Sequence, residues 1–386
     1  MQEVRCEGFD RGASTRHSPP LMNNPDIETA TLSVRLAAVV DNYRTCARLA
    51  DTRIAGVVKA GAYGLGMEPV ARALANIGCD TFFVARLEEG ARLRPIVPDT
   101  RIFVLDGAPL HCAEALIAHR LTPTLNSLDE IAVWSAVAHS RRTSLDAAVH
   151  IDTGMNRLGL PAYEATVLVS EARERLRDLN LVLVMSHLAC SDDPSAKMNA
   201  QQLARFRAAL AMLPPAPASL AASGGVMLGR DYAFDLARPG IALYGGNPQP
   251  GTPNAFKTVA CLTGRVLQLR CVDKGEVVGY GATFQAERPT TLATVALGYA
   301  DGLMRAIGNR GMGAINGMRA PVVGRVSMDL ITLDVTEIPS ATVGTEIEFI
   351  GDTISLEEAA AAARTANYEI LTAIGARVPR VHVSAP

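Results

Sequence analysis

No C-x-x-C pair and no apolar run long enough to cross a membrane occur in this 386-residue chain. The seven cysteines are scattered and odd in number, which argues against a disulfide framework or a structural metal and for a reducing compartment, the cytoplasm. The stretch MQEVRCEGFDRGASTRHSPPLMNNPD has charges and prolines but lacks the apolar centre of a secretory signal, so an extension or loosely held arm is expected there. Long basic blocks are missing too, and the net charge is −2, so neither nucleic acid nor an anionic membrane surface is an expected partner. A small-molecule ligand is. There is no solenoid repeat and no low-complexity tract.

What is present is ordinary for a globular protein with a large core, 48% hydrophobic and 20% charged residues. The length exceeds what one core usually supports, so two domains are expected. Eight short strand-like runs follow one another: IAGVVKA, TFFVAR, RIFVLDG, LTPTL, AAVHIDTG, LVLVMSHL, ASLAASGG and FDLARPG. Segments of helical period separate most of them, and a helical pattern, VRLAAVVDNYRTCARLA, precedes the first. Eight such units over some 220 residues predict a (β/α)8 barrel, with a doubly wound open sheet as the alternative. The absence of G-x-G-x-x-G after the first strand weakens a dinucleotide-binding reading of that open sheet.

Beyond the Gly/Pro/Asn stretch NPQPGTPNAF the helical patterns nearly vanish, and strand-like runs such as LTGRVLQLRCV and APVVGRVSMDLITLDV predict a mostly β domain. One helix is expected in it, SLEEAAAAART, with Ser355 and Glu358 forming a capping box. The expected division is therefore an extension over 1–26, a barrel over 27–250 and a β domain over 251–386.

Barrel active sites lie where strands stop. Lys59 stands at such a point, in GVVKAGAYGLG, as do Arg157, His187, Ser223, Arg238 and Gly240. Singly each has an ordinary reading as a solvated charge, a loop imidazole or a turn. Together at one barrel mouth they suggest a site. A desolvated lysine there would have its pKa lowered and could form a Schiff base with an aldehyde, for which pyridoxal phosphate fits best. Tyr63, Ser223 and the RPGI turn could hold its phosphate, especially if GIALYG opens a helix.

VVKAGAYGLG, DTGMNRLG, SHLA, ARPGIALYGG, VGYGATF, ALGYADGL, VGRVSMDLITLDV and NYEILTAIGARVPR occur in the order of bacterial alanine racemases, which the sequence closely resembles from about Thr29 to its end. The resemblance implies a fold-type III pyridoxal-phosphate enzyme: an N-terminal barrel, a C-terminal β domain, and a head-to-tail homodimer with shared active sites. It implies that Lys59 forms the internal aldimine and that Tyr280, contributed in trans, is the second base. By the same match His187 lies beside the cofactor ring, linked to Arg238, which faces the pyridine nitrogen. Tyr63, Ser223, Gly240, Ile241 and Tyr368 match the phosphate ligands, the glycine and isoleucine through N–H groups. Arg157 and the N–H of Met328 of the partner subunit match the groups holding the substrate carboxylate. Tyr299 and Asp329 match entrance residues, and each also has a structural reading, in a turn cap or a backbone contact.

The sequence departs from the family at His150, where many members carry a carbamylated lysine that orients the arginine. Arg157 must then be held by another acceptor, by His150 itself, or by a bound anion or water, which is the favoured reading. Ala222, Gly61, Leu65 and Ser327 are further departures, and they blur substrate preference. The implied activity is interconversion of L- and D-alanine, supplying or degrading D-alanine, for instance as a peptidoglycan precursor. A serine or broad-specificity racemase is the near alternative. A fold-type III decarboxylase is more distant, since it would place a carboxylate at the pyridine nitrogen and a cysteine acid in trans. A non-enzymatic pyridoxal-phosphate carrier is a third, lacking the β domain that supplies Tyr280.

Overall fold

A computed structural model describes residues 29–384. The expected extension over 1–26 lies outside them.

All eight strand-like runs form parallel strands, and they close into a barrel. The chain begins with β1 (Ala30–Arg35), which is not part of it. The first barrel strand is interrupted at Ala55 into β2 (Arg53–Ile54) and β3 (Gly56–Val57). Then follow β4 (Thr81–Val84), β5 (Arg101–Val104), β6 (Thr122–Leu125), β7 (Leu145–His150), β8 (Leu179–Met185), β9 (Ala218–Ser219) and β10 (Leu236–Ala237). Pairing runs in sequence order from β3 to β9, and β10 pairs with β2. Main-chain bonds from Asp235 N–H to Ala218 O (3.0 Å) and from Arg238 N–H to Ala221 O (2.8 Å) join β9 to β10 and complete the ring. Strands of a barrel wrapped by helices are covered on both faces, which is why TFFV and RIFV are apolar at nearly every position. The open-sheet alternative falls on the β10–β2 pairing.

The second layer is the β domain. Its central strand, β11 (Ala260–Val272), is flanked by Glu346–Ile350 and Thr290–Val295, and antiparallel by β1, a strand from the segment expected to form the barrel. Arg380–Val383 pairs parallel with the other side of β1. We propose the 250/251 division as a boundary in sequence only, because β1 crosses it in space.

Two helices, not one, interrupt the β domain: Leu356–Ala363 and Asn367–Ala373. Arg364 ends the first in a left-handed conformation (φ 59°), and the second restarts three residues later. The expected capping box is only half formed. Ser355 Oγ accepts from Glu358 N–H at 3.1 Å, but the Glu358 carboxylate pairs with Arg319 instead of returning to the Ser355 amide. The second helix docks on the barrel beside the Lys59 segment, where Asn367 Nδ2 donates to Asn247 O at 2.9 Å and Arg380 Nε donates to Gly64 O at 3.0 Å. Among the described residues no helix is long and apolar enough to cross a membrane.

Candidate active site

Lys59 follows β3 and starts a turn of unusual hand. Ala60 (φ 52°), Gly61 (65°), Ala62 (56°) and Tyr63 (57°) all lie in the left-handed region, and only one of them is glycine. Bonds from Ala62 N–H to Val58 O, Gly64 N–H to Ala60 O and Gly66 N–H to Gly61 O, each 2.8 Å, make this a short left-handed helical turn. Such a backbone costs about 1–2 kcal/mol for each residue that carries a Cβ, so something must hold it. The turn places Lys59 at its start and the Tyr63 ring at its end, in one cavity.

That cavity, of ≈ 400 Å³, opens at the C-terminal ends of the strands and takes its walls from both domains. Lys59, Arg157, His150, His187 and Arg238 line one part; Tyr63, Ser223, Gly240, Ile241 and Tyr368 line another. Burial and the charge of Arg157 lower the Lys59 pKa, favouring the free amine that a nucleophile needs.

Arg238 is buried, with Nη2 donating to Ser186 O at 2.7 Å and Nη1 donating to Ser219 Oγ. Its guanidinium sits 5.8 Å from the Phe83 ring centre. Burial draws its pKa down to about 10, so it stays a cation at neutral pH. The expected link to His187 is not a hydrogen bond: Arg238 directs its donors at the two serines and acts on the imidazole through its charge. Burial, then Arg238, Arg157, His150 and Lys59, push the His187 pKa well below the ordinary value.

His150 is settled by its neighbour. Asn126 Nδ2 donates to Leu105 O (3.1 Å) and Thr124 O (2.9 Å), so its Oδ1 must accept, and His150 Nδ1 donates to it at 2.9 Å. Burial first, then Arg238, lower the His150 pKa to about 4; Asp152 opposes this and Arg157 adds to it. The ring is therefore neutral, with its Nε2 left as an acceptor. Arg157 sits in the DTGMNRLG loop, which Asp152 Oδ1 fixes by accepting from the N–H groups of Gly154 (2.8 Å) and Met155 (2.9 Å). No hydrogen bond or ion pair of the Arg157 guanidinium forms among the described residues, and His150 does not bond it directly.

Acid should exploit these neutral imidazoles. Between pH 6.5 and about 4 the unfolded chain binds a proton at His150 that the folded chain refuses, so this stability is present above the higher value and lost as pH falls through the lower. Thermal melts of the cofactor-free protein should show a falling midpoint across that window. His150→Gln, which can still donate to Asn126, should flatten the slope; an unchanged slope would refute the assignment.

The remaining wall is built around close approach. A Cβ on Gly240 would lie 2.1 Å from Tyr63 Oη, and one on Gly224 would lie 2.5 Å from Ser191 Oγ. Ser223 Oγ accepts from Gly240 N–H at 2.9 Å and Ala242 N–H at 3.2 Å, so the Gly240 amide expected to face an anion is shared with the serine. GIALYG forms a 3-10 turn, Ile241–Tyr244, rather than opening an α-helix. Burial holds the Tyr368 pKa up at about 12 and that of Tyr63 higher still, which keeps both hydroxyls as donors.

Tyr280, Met328, Tyr299 and Asp329 are not in this cavity. They lie on the β domain, where Tyr280 is 71% and Met328 54% exposed. Tyr299 N–H donates to Ser327 O (3.0 Å) and Ala300 N–H to Met328 O (2.9 Å), tying two of the segments together, while Asp329 pairs with Arg377 at 2.6 Å. Sequence reading missed Asn126, Glu89 and Gln202. Gln202, fully buried, donates to His187 O at 2.9 Å and accepts from Ala189 N–H at 2.8 Å, which braces the SHLA segment. Asn126 follows the end of β6, a signal that could have found it; Gln202, within a helix, offered none.

Residues 34–248 match the family model described as alanine racemase, N-terminal domain, and residues 259–382 match that of the C-terminal domain. The chain belongs to the alanine racemase family. It is 46% identical over 364 residues to an alanine racemase of Rhodospirillum rubrum, covering 93% of this chain and 97% of that one. It is also 46% identical to a catabolic alanine racemase of Agrobacterium fabrum, over 91% of this chain and 92% of the relative. The crystal structure of a Bartonella henselae alanine racemase with covalently bound pyridoxal phosphate superposes with a TM-score of 0.88 at 39% identity, covering 92% of this chain and all of that one. The alanine racemase domains of the family thus correspond to the barrel and the β domain described above.

Proposed function

We propose that this chain is an alanine racemase that interconverts L- and D-alanine with pyridoxal 5′-phosphate, in the cytoplasm, as a homodimer with shared active sites. The carrying observation is a desolvated lysine at a barrel mouth, facing a glycine-walled cradle of hydroxyls, with no carboxylate among the residues lining the cavity.

The cavity fits the cofactor. Lys59 would hold it covalently, Arg238 would face its pyridine nitrogen, and Tyr63, Ser223, Gly240, Ile241 and Tyr368 would hold its phosphate. Bound there, the cofactor supplies the electron-withdrawing system that makes the substrate α-proton acidic. Lys59 Nζ, set free when the substrate amine displaces it from the cofactor, would take or return that proton on one face. Tyr280 Oη of the partner subunit does so on the other, because a single fixed base cannot serve both. Arg157 and the N–H of Met328 of the partner subunit bind the carboxylate, and Tyr299 and Asp329 of the partner subunit flank the entrance. Arg238, still cationic, does not hand a proton to the ring nitrogen, which restrains the electron sink and disfavours transamination. His150 Nε2 offers Arg157 a neutral acceptor through a bridging water.

Purified protein loaded with pyridoxal phosphate should racemise alanine faster than serine or lysine when D-isomers are resolved by chiral chromatography. Alanine as the slowest of the three would defeat the assignment. Release of carbon dioxide from any amino acid would instead favour the decarboxylase reading.

A further inference from the structure

The left-handed turn after Lys59 has a brace that lies outside the cavity. Glu89 stands in the first turn of the helix Leu87–Leu93, just past β4. Its Oε2 accepts from Ala85 N–H (2.8 Å) and Arg86 N–H (3.2 Å), as a residue at that position of a helix often does. Helix capping does not account for the other oxygen. Oε1 accepts at 2.5 Å from the N–H of Ala60, the residue immediately after Lys59 and the first left-handed one. One carboxylate therefore ties the Lys59 turn to the end of the neighbouring barrel strand. The turn's own bonds begin at Ala62 N–H, so among the described residues the Ala60 amide has its acceptor in Glu89.

We propose that Glu89 is a positioning residue: by holding the Ala60 amide it keeps the turn left-handed, and so fixes the spacing of Lys59 from Tyr63 that an aldehyde and a phosphate on one ligand require. The proposal rests on the reading of Lys59 as the cofactor lysine. The strain resides in Ala60, Ala62 and Tyr63, whose Cβ atoms disfavour this backbone, and glycine at the first two would relieve most of it without touching the Tyr63 ring. If Glu89 offsets that strain, glycines at 60 and 62 should make it dispensable.

Titrating cofactor-free protein with pyridoxal phosphate gives the dissociation constant, and hydrogen exchange of the amides over 59–66 reports the turn without cofactor. Glu89→Gln should weaken binding about ten-fold or more and speed exchange in that segment. Adding Ala60→Gly and Ala62→Gly should bring the constant back to within about three-fold of wild type, a coupling that loss of a helix cap alone would not produce. Glu89→Asp, too short to span Ala60 and Arg86 together, serves if the glutamine variant does not fold. Binding unchanged within about two-fold in the first variant, or no recovery with the glycine pair, overturns the proposal. Failure of the wild type to bind pyridoxal phosphate would instead count against the functional reading, and the exchange comparison would still report on the brace.

Discussion

Two inactive variants, produced together, are expected to restore about a quarter of wild-type racemisation. In the proposed reading, Lys59→Ala removes the amine that would hold the cofactor and serve one face, and Tyr280→Phe removes the hydroxyl that would serve the other. Each alone should reduce turnover by ~100- to 10,000-fold, the range for loss of a general acid–base group. In the folded chain Tyr280 is 71% exposed and absent from the residues lining the Lys59 cavity. If a second copy supplies it, a mixed dimer has one site with both lesions and one with neither. Random assortment puts about half the dimers in that mixed form with half their sites intact, hence about a quarter of the activity. Mixed dimers isolated through a separate tag on each variant should then show about half, and activity near zero in them would mean that each site is built from one chain.

The second large effect concerns Gly240. Its φ of −117° lies outside the left-handed region, so a Gly240→Ala change is judged by what the added methyl meets. The added methyl would lie 2.1 Å from Tyr63 Oη and 2.8 Å from its Cζ. Tyr63 is buried, with its ring 4.9 Å from that of Tyr244, so it has little room to retreat. Overpacking of this kind costs about 1–3 kcal/mol, and here it falls on the wall that would receive the phosphate. Affinity for pyridoxal phosphate should drop by about 10- to 100-fold, measured by titration, with the fold intact by circular dichroism. Binding within about two-fold of wild type would show that Tyr63 is not a phosphate ligand.

The legibility of the sequence varied with the physics behind each feature. Barrel strands were visible because strands buried on both faces need apolar residues throughout, and Lys59, Arg157, His187 and Arg238 stood out as polar groups where those runs end. β1 was not visible as a member of the β domain, since its partners lie more than 200 residues away and nothing local specifies them. Nor was the hand of the turn after Lys59. Ala60 and Ala62 have strong preferences for the opposite hand, and the groups that bond this turn from outside, Glu89 at the Ala60 amide and Arg380 at Gly64 O, lie far away in the sequence. Asn126 shows the same limit. Its role follows from two carbonyls that dictate which way its amide faces, and those exist only once β5 and β6 are side by side.

The pairing of β1 with β11 has a mechanical consequence. The chain enters the barrel from one of these strands and returns through the other, and Arg380–Val383 closes over β1 from the far side. The barrel is thus a long insertion strapped to the β domain at two adjacent points. A single linker would let the halves swing like a door; a double strap resists that and leaves sliding as the softer motion. Substrate entry would then be governed by side chains moving at the cavity mouth, on a frame that holds still.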